Sequence, residues 1–165
     1  MRRRSFLREQ SGAVAVEMAL VTPLLLTLMF AGFEAGHFLW SEHKAIEGVR
    51  AGVRYASRLP ITTVCPTAGT VDSAIVANIK NVARTGKLVT TAPPVVPGWT
   101  NAQVTVTFRC GTYLSTGIYT TLGGQGATVT VASDNLAYPS IFKSLGVITS
   151  SYNLNAWSSA AVIGI

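Results

Sequence analysis

A single acidic residue inside a membrane-length apolar segment is the feature that most constrains this chain. Residues 13–33 contain one charged side chain, Glu17. A helix rises about 1.5 Å per residue, so this segment would span roughly 30 Å, the thickness of a bilayer core. A charge there is costly and usually has a partner. We therefore predict a transmembrane helix in which Glu17 meets a positive charge when like subunits assemble.

The basic residues are concentrated at the N terminus. The net charge is +6, and half of it falls within residues 1–12, which contain four arginines and one glutamate. The rest of the chain has no basic patch with interleaved aromatic residues, so no nucleic-acid binding is expected. Arginines beside an apolar span stay in the cytoplasm. The sequence therefore predicts a basic leader over residues 1–12 and export of everything after Phe33.

The helical pattern continues past the membrane segment as an amphipathic stem over residues 34–59. Pro60 ends the pattern. Glu47 and Arg50 are three residues apart, so their side chains are expected to pair on the helix surface. One apolar face and one basic face are predicted, the basic one solvated. The apolar face consists of Ile46, Val49, Val53 and Ala56, and the basic face of Arg50, Arg54 and Arg58.

Small residues in this helix are spaced for helix packing. Gly32 and Gly36 form one pair four residues apart, and Gly48 and Gly52 form another. Such pairs allow a neighbouring helix to approach closely, although isolated glycines are often incidental. Pro23 is tolerated in a transmembrane helix because neighbouring helices can satisfy the freed carbonyl.

The remaining residues, 60–165, predict a small α+β domain with one short helix and an antiparallel sheet. The helix is predicted over residues 70–84, with Thr70 as its cap and Gly86 at its end. Residues 93–98 form a linker or turn. Alternating apolar residues predict strands over 104–110 and 127–131, with Cys110 on the core face, and a loop over 123–126. A third strand is predicted from about Tyr152 to Val162.

Two cysteines, Cys65 and Cys110, lie beyond the apolar segment. In an oxidising compartment they favour one disulfide, and the alternative is a pair of buried thiols. Closing a loop of this size would stabilise the fold by roughly 4 kcal/mol.

A search for catalytic patterns finds nothing. His37 and His43 are six residues apart and do not share a helix face as a metal-binding pair would. The exported part has few carboxylates, and three of them lie on the stem, so a paired-carboxylate site is not expected. We predict neither an enzyme nor a bound metal or cofactor.

Residues 3–8 match a twin-arginine export signal. Such a signal requires a small-residue cleavage site after its apolar core, and the segments 29–31 and 33–35 are poor candidates. A soluble exported protein that begins near Gly32 or Gly36 remains a weaker alternative.

The N-terminal residues resemble a known processing motif. Gly12 followed by Ala13-Val14-Ala15-Val16-Glu17 resembles the prepilin-peptidase motif of type IV pilins and pseudopilins. The longer segment 12–26 is similar to TadE-like minor pseudopilins of the tight-adherence (Flp) pilus system. Segments 32–37 and 48–56 are similar to the stem-helix patterns of that family.

The resemblance implies a function. A prepilin peptidase would cut between Gly12 and Ala13, and Glu17 would attract the new amino terminus of an adjacent subunit. The other implied partners are pilin and pseudopilin subunits, an inner-membrane assembly platform and the lipid bilayer. The protein would be a minor pseudopilin that crosses the inner membrane once, with its C-terminal domain in the periplasm. The alternative is a single-pass anchored binding protein that does not join a pilus.

Overall fold

A computed structural model describes residues 11–66, 70–111, 126–147 and 152–164. It confirms the predicted α+β class, a long N-terminal helix followed by a small domain with short helices and antiparallel sheets. Compact packing divides the chain into two units, with the boundary between His37 and Phe38. Most of the predicted leader, the first ten residues, lies outside the described residues, as does most of the predicted loop over 123–126.

Helix α1 runs from Ser11 to Ser57 and contains Pro23 without a break. Every residue from 12 to 33 is exposed. Threonines supply hydrogen bonds near the proline. Thr22 Oγ1 donates to the Met18 carbonyl at 2.6 Å, and Thr27 Oγ1 donates to the Pro23 carbonyl at 2.8 Å. These bonds give the two threonine hydroxyl groups hydrogen-bond partners within the helix, which a lipid environment would not supply.

The second half of α1 has the predicted amphipathic character. Val49, Val53 and Ala56 are buried in the core of the domain, and Ile46 packs against that core. The basic face, which consists of Arg50, Arg54 and Arg58, is exposed as expected. The predicted pairing of Glu47 with Arg50 is not observed, because Glu47 contacts His43 and Lys44 on the preceding turn instead.

Helix α2 (Ile61–Val64) follows Pro60, and helix α3 comprises Ser73–Thr85. The predicted cap of α3, Thr70, lies two residues before the observed one. The cap is Asp72, whose side chain accepts a hydrogen bond from the Ala74 amide at 2.9 Å. Gly86 ends the helix as predicted, with a left-handed φ of 71° that glycine adopts at no steric cost.

The main sheet has three antiparallel strands in the order β1 (Val104–Cys110), β2 (Ala127–Ser133) and β5 (Trp157–Ala161). A short 3-10 turn over Asn101–Gln103 leads into β1. On the face toward the core, β2 buries alternate residues, and β1 buries Val104. Cys110 shares that register but is exposed at the strand end.

The single C-terminal strand predicted over 152–162 is two strands. Strand β4 (Asn153–Leu154) pairs with β3 (Leu136–Ala137), whereas β5 pairs with β2. The short helix α4 (Ile141–Ser144) lies in sequence between β3 and β4. The division follows from long-range pairing: the Ala156 amide donates to Ser133 Oγ at 2.8 Å at the point where the chain changes sheets.

Candidate assembly surface on helix α1

The predicted processing site lies in the first turn of α1. Gly12, Ala13 and Glu17 are all helical and exposed. Ala13 and Glu17 are four residues apart, so they occupy the same helix face with about 6 Å of rise between them. Glu17 forms no ion pair with another residue in the described part of the chain. The carboxylate therefore stands on an open face, where a cation from outside the chain can approach it.

The residues after this site form an apolar surface. Helix α1 is the one helix of the described residues long and apolar enough to cross a membrane, with a mean hydropathy of 2.1 in its most apolar window. None of that window is buried against the rest of the chain. Apolar side chains exposed around a whole helix require lipid or other apolar partners.

The first glycine pair lies within this open part of α1. A Cβ atom added at Gly32 or at Gly36 would meet nothing within 4 Å. No described residue of the chain therefore packs against these two positions, and the space beside each glycine is available to another helix.

The second glycine pair lies against other elements of the same chain. A Cβ atom at Gly48 would clash with the Ala83 carbonyl oxygen and would lie 2.8 Å from Cζ3 of Trp99. At Gly52 it would lie 3.0 Å from Cβ of Ala83. Gly48 and Gly52 therefore allow the close approach predicted for their spacing, and the approaching helix is α3.

A polar network that the sequence analysis missed holds α3 in place. Asn81 is buried, and its Oδ1 accepts a hydrogen bond from Asn101 Nδ2 at 3.1 Å. Arg84 Nε donates to Asn101 Oδ1 at 3.1 Å, and Lys80 Nζ donates to the Asn101 carbonyl at 3.2 Å. Buried polar groups need such partners. Nothing in the local pattern around Asn81 or Asn101 distinguishes these residues from ordinary surface polar residues.

Trp99 fills the space between Gly48 and the rest of the core. Its side chain is 1% exposed, and its indole Nε1 is buried without a hydrogen-bond acceptor among the described residues. An unpaired indole N–H costs stability. The ring is held there by packing against the glycine surface of α1 and not by a polar contact.

Cys65 and Cys110 form the disulfide that the sequence favoured. Their Cα atoms are 5.8 Å apart, and they are separated by 45 positions in the sequence. The bridge joins the end of β1 to the segment after α2, and the loop that it closes contains α3.

Glu47 contacts two neighbouring side chains on the stem, His43 and Lys44. His43 Nε2 lies 3.2 Å from Glu47 Oε1, and Lys44 Nζ lies 3.3 Å from Glu47 Oε2. The hydrogen bond and the charge of Lys44 lower the pKa of the Glu47 carboxyl, and His43 adds to the effect. His37 is not part of this group. No cluster of three metal-ligating side chains occurs within the described ranges.

The combination of an open apolar helix and an independent small domain defines a protein that is able to anchor in a membrane. Residues 12–54 match the family model described as TadE-like protein. This match confirms the resemblance of the N-terminal segment to TadE-like proteins that was drawn from the sequence. It covers about a quarter of the chain. No curated protein and no solved structure matches the chain.

Proposed function

We propose that this protein is a minor pseudopilin that a prepilin peptidase cleaves between Gly12 and Ala13 and that then takes part in the assembly of a Tad-type pilus. The observation that carries the proposal is the TadE-like match, which begins at Gly12 and extends along α1 to residue 54. The proposal assigns no catalytic role to any residue.

The chemistry of Glu17 supports this assignment. Cleavage before Ala13 frees an α-amino group, which is cationic at neutral pH because its pKa is near 8. Glu17 is exposed on the same helix face, about 6 Å along the helix. An ion pair between this amine in one subunit and Glu17 of the next offsets the cost of burying either charge in lipid.

The apolar surface of α1, the leader arginines and the disulfide of the domain support a topology with a cytoplasmic N terminus and a periplasmic domain. The apolar surface over residues 12–33 contacts lipid before assembly and neighbouring subunits afterwards. The leader arginines hold the N terminus in the cytoplasm. The Cys65–Cys110 bridge suits an oxidising periplasm. The remaining proposed partners are the inner-membrane assembly platform and other pilin subunits.

The cleavage site is tested by mass spectrometry of the mature N terminus after co-expression with the cognate prepilin peptidase. We expect Ala13 as the first residue. Gly12→Val should keep the leader attached and abolish incorporation into pili, because the peptidase requires a small residue there. Gly32→Val is the matched control, since a Cβ atom at Gly32, like one at Gly12, meets nothing within 4 Å, and the protein should be cleaved normally.

Recovery of the native protein with Met1 and the leader intact would contradict the proposal. That result would favour the alternative, a single-pass anchored binding protein that does not join a pilus. A mature protein that starts near Gly32 or Gly36 would instead indicate a soluble exported protein.

The role of Glu17 is tested separately. Glu17→Gln removes the charge at constant size, so cleavage should be normal while incorporation into pili falls at least tenfold. Glu47→Gln is the control, because Glu47 is exposed on the stem outside the apolar segment. Wild-type incorporation of the Glu17→Gln protein would remove the proposed role of this carboxylate and leave the cleavage site unaffected.

A further inference from the structure

Strand β5 is an edge of the main sheet, and its outward backbone groups are open. The Val162 amide donates to the Ala127 carbonyl at 2.8 Å, so the even-numbered residues of this segment point their backbone groups toward β2. The odd-numbered residues point theirs away from the sheet. Among the described residues, nothing forms a hydrogen bond with the outward N–H and C=O groups of Trp157, Ser159 and Ala161. Such a row of unpaired backbone groups is able to pair with another strand.

This edge lacks the features that usually protect an edge strand. Natural sheets place charged side chains, proline or a bulge at such a position. Residues 157–161 contain no charge and no proline, and their pairing with β2 runs without a bulge. The other edge strand, β1, carries Arg109, packs against α3 and ends in the disulfide at Cys110. The opening for a further strand is therefore on β5.

The elements at both ends of β5 limit the length of this opening. The Ile163 amide also points outward, and it donates to the carbonyl of Ser57 at the end of α1, at 2.9 Å. At the other end of the strand, the chain changes sheets at Ala156. A further strand can therefore pair with the five residues 157–161, a length of about 17 Å.

The sequence of β5 is complementary to itself in an antiparallel pairing centred on Ser159. In that register Ser159 of one copy faces Ser159 of the second copy. The ring of Trp157, which is 72% exposed, then lies opposite the small side chain of Ala161 of the second copy. A large side chain meets a small one, and no like charges face each other. The register also uses all three outward residues of both copies.

We propose that two copies of this protein associate through β5, so that their three-stranded sheets form one six-stranded sheet. The occupant of the edge is a second copy because the strand is uncharged and its residues match one another in size when it pairs with itself. The contact is small compared with the interfaces of stable dimers, so the two copies exchange readily. The association requires neither cleavage of the leader nor incorporation into a pilus.

Oxidative cross-linking of the detergent-solubilised full chain tests this pairing. In the proposed register the two Ser159 Cα atoms lie about 5.5 Å apart, a distance that a disulfide spans. Ser159→Cys should therefore give a disulfide-linked dimer on oxidation with copper phenanthroline, detected by non-reducing gel electrophoresis. Thr107→Cys is the matched control, because Thr107 is also exposed and, like Ser159, is a cross-strand partner of Thr130 on the same face of the sheet. Oxidation traps even a short-lived pair, so a weak affinity does not hide the contact.

We expect the Ser159→Cys dimer to be about fivefold or more as abundant as the Thr107→Cys dimer, because the control residue is not brought next to its own copy. Peptide mapping should show the Cys65–Cys110 bridge intact in both proteins. Equal dimer yields from the two variants would overturn the pairing through β5, since association through α1 alone would link both cysteines to the same extent.

A second pair of variants tests the antiparallel register. When Trp157→Cys and Ala161→Cys proteins are mixed and oxidised, the mixed dimer should exceed either homodimer, because positions 157 and 161 of opposite copies face each other. Two residues at position 157 would be about 13 Å apart along the paired strands, too far for a disulfide. Homodimers as abundant as the mixed dimer would overturn the proposed arrangement, whatever the N-terminal residue of the mature protein.

Discussion

The two glycine pairs of α1 have the same spacing and opposite surroundings. Gly32 and Gly36 have open space beside them, whereas Gly48 and Gly52 lie against α3 and Trp99. The difference follows from the rest of each segment. Around the first pair the side chains are mostly apolar, with Glu34 and His37 as the polar exceptions, and around the second pair the helix has one apolar and one basic face. Spacing alone thus predicts that a helix approaches, but not whether that helix belongs to the same chain.

The second pair is covered by an element that the disulfide retains. The loop closed by Cys65 and Cys110 contains α3, whose Ala83 and Ile79 are buried against α1. The first pair has no such constraint, because a Cβ atom at Gly32 or Gly36 meets no described residue of that loop within 4 Å. The two pairs should therefore respond differently to any change that loosens α3.

Removal of the disulfide is expected to have the largest effect on the stability of the domain that covers the second glycine pair. Replacing Cys65 and Cys110 by alanine should lower the free energy of unfolding of the domain by about 4 kcal/mol, the chain-entropy value for a loop of this length. Urea denaturation of the detergent-solubilised protein, followed by near-UV circular dichroism, measures the change. Reduction of the wild-type protein is the control and should give the same loss. A change below about 1 kcal/mol would show that α3 packs on α1 independently of the bridge.

Substitution of Gly48 is expected to have the next largest effect on the free energy of unfolding of the domain. The Cβ of Gly48→Ala would clash with the Ala83 backbone and crowd the Trp99 ring, so the two helices must separate. Overpacking of this kind costs typically about 1–3 kcal/mol, and because the contact is with backbone we expect Gly48→Ala to cost about 3 kcal/mol. The same urea titration measures it.

Gly52→Ala is the matched control for Gly48→Ala. Its Cβ would lie 3.0 Å from a side-chain carbon of Ala83, a contact that a small shift relieves. Alanine also favours the helix over glycine by about 1 kcal/mol, so the net change should be under 1 kcal/mol. Equal destabilisation by the two substitutions would contradict the close backbone approach at Gly48.

Local periodicity was sufficient to predict much of this arrangement. The stripe of Val49, Val53 and Ala56 follows from the helical repeat, and the strand over 104–110 follows from strict alternation. The open apolar segment follows from length and composition alone. These features depend on residues close together in sequence, so the local pattern of a single sequence is enough to predict them.

The features that the sequence did not predict depend on distant partners. The start of α3 was misplaced because Thr70 and Asp72 are both good caps, and the observed bond to the Ala74 amide selects Asp72. The C-terminal strand divides because Leu154 pairs with β3 while Trp157 pairs with β2. The contact between Asn81 and Asn101 joins two segments whose proximity no local pattern encodes.

Substitution of the first glycine pair is expected to have the smallest effect on stability and the clearest effect on assembly. Gly32→Leu with Gly36→Leu should leave the unfolding midpoint of the domain unchanged, because a Cβ atom added at either position meets nothing within 4 Å among the described residues. If another helix packs there during assembly, two leucines would block its approach, and incorporation into pili should fall at least fivefold. Pilus fractions are measured by immunoblotting, with normal N-terminal cleavage as the control. Normal incorporation would mean that these glycines, unlike Gly48 and Gly52, do not serve helix packing. A loss of domain stability would instead show that the first pair contacts the domain, and the contrast between the two pairs would no longer hold.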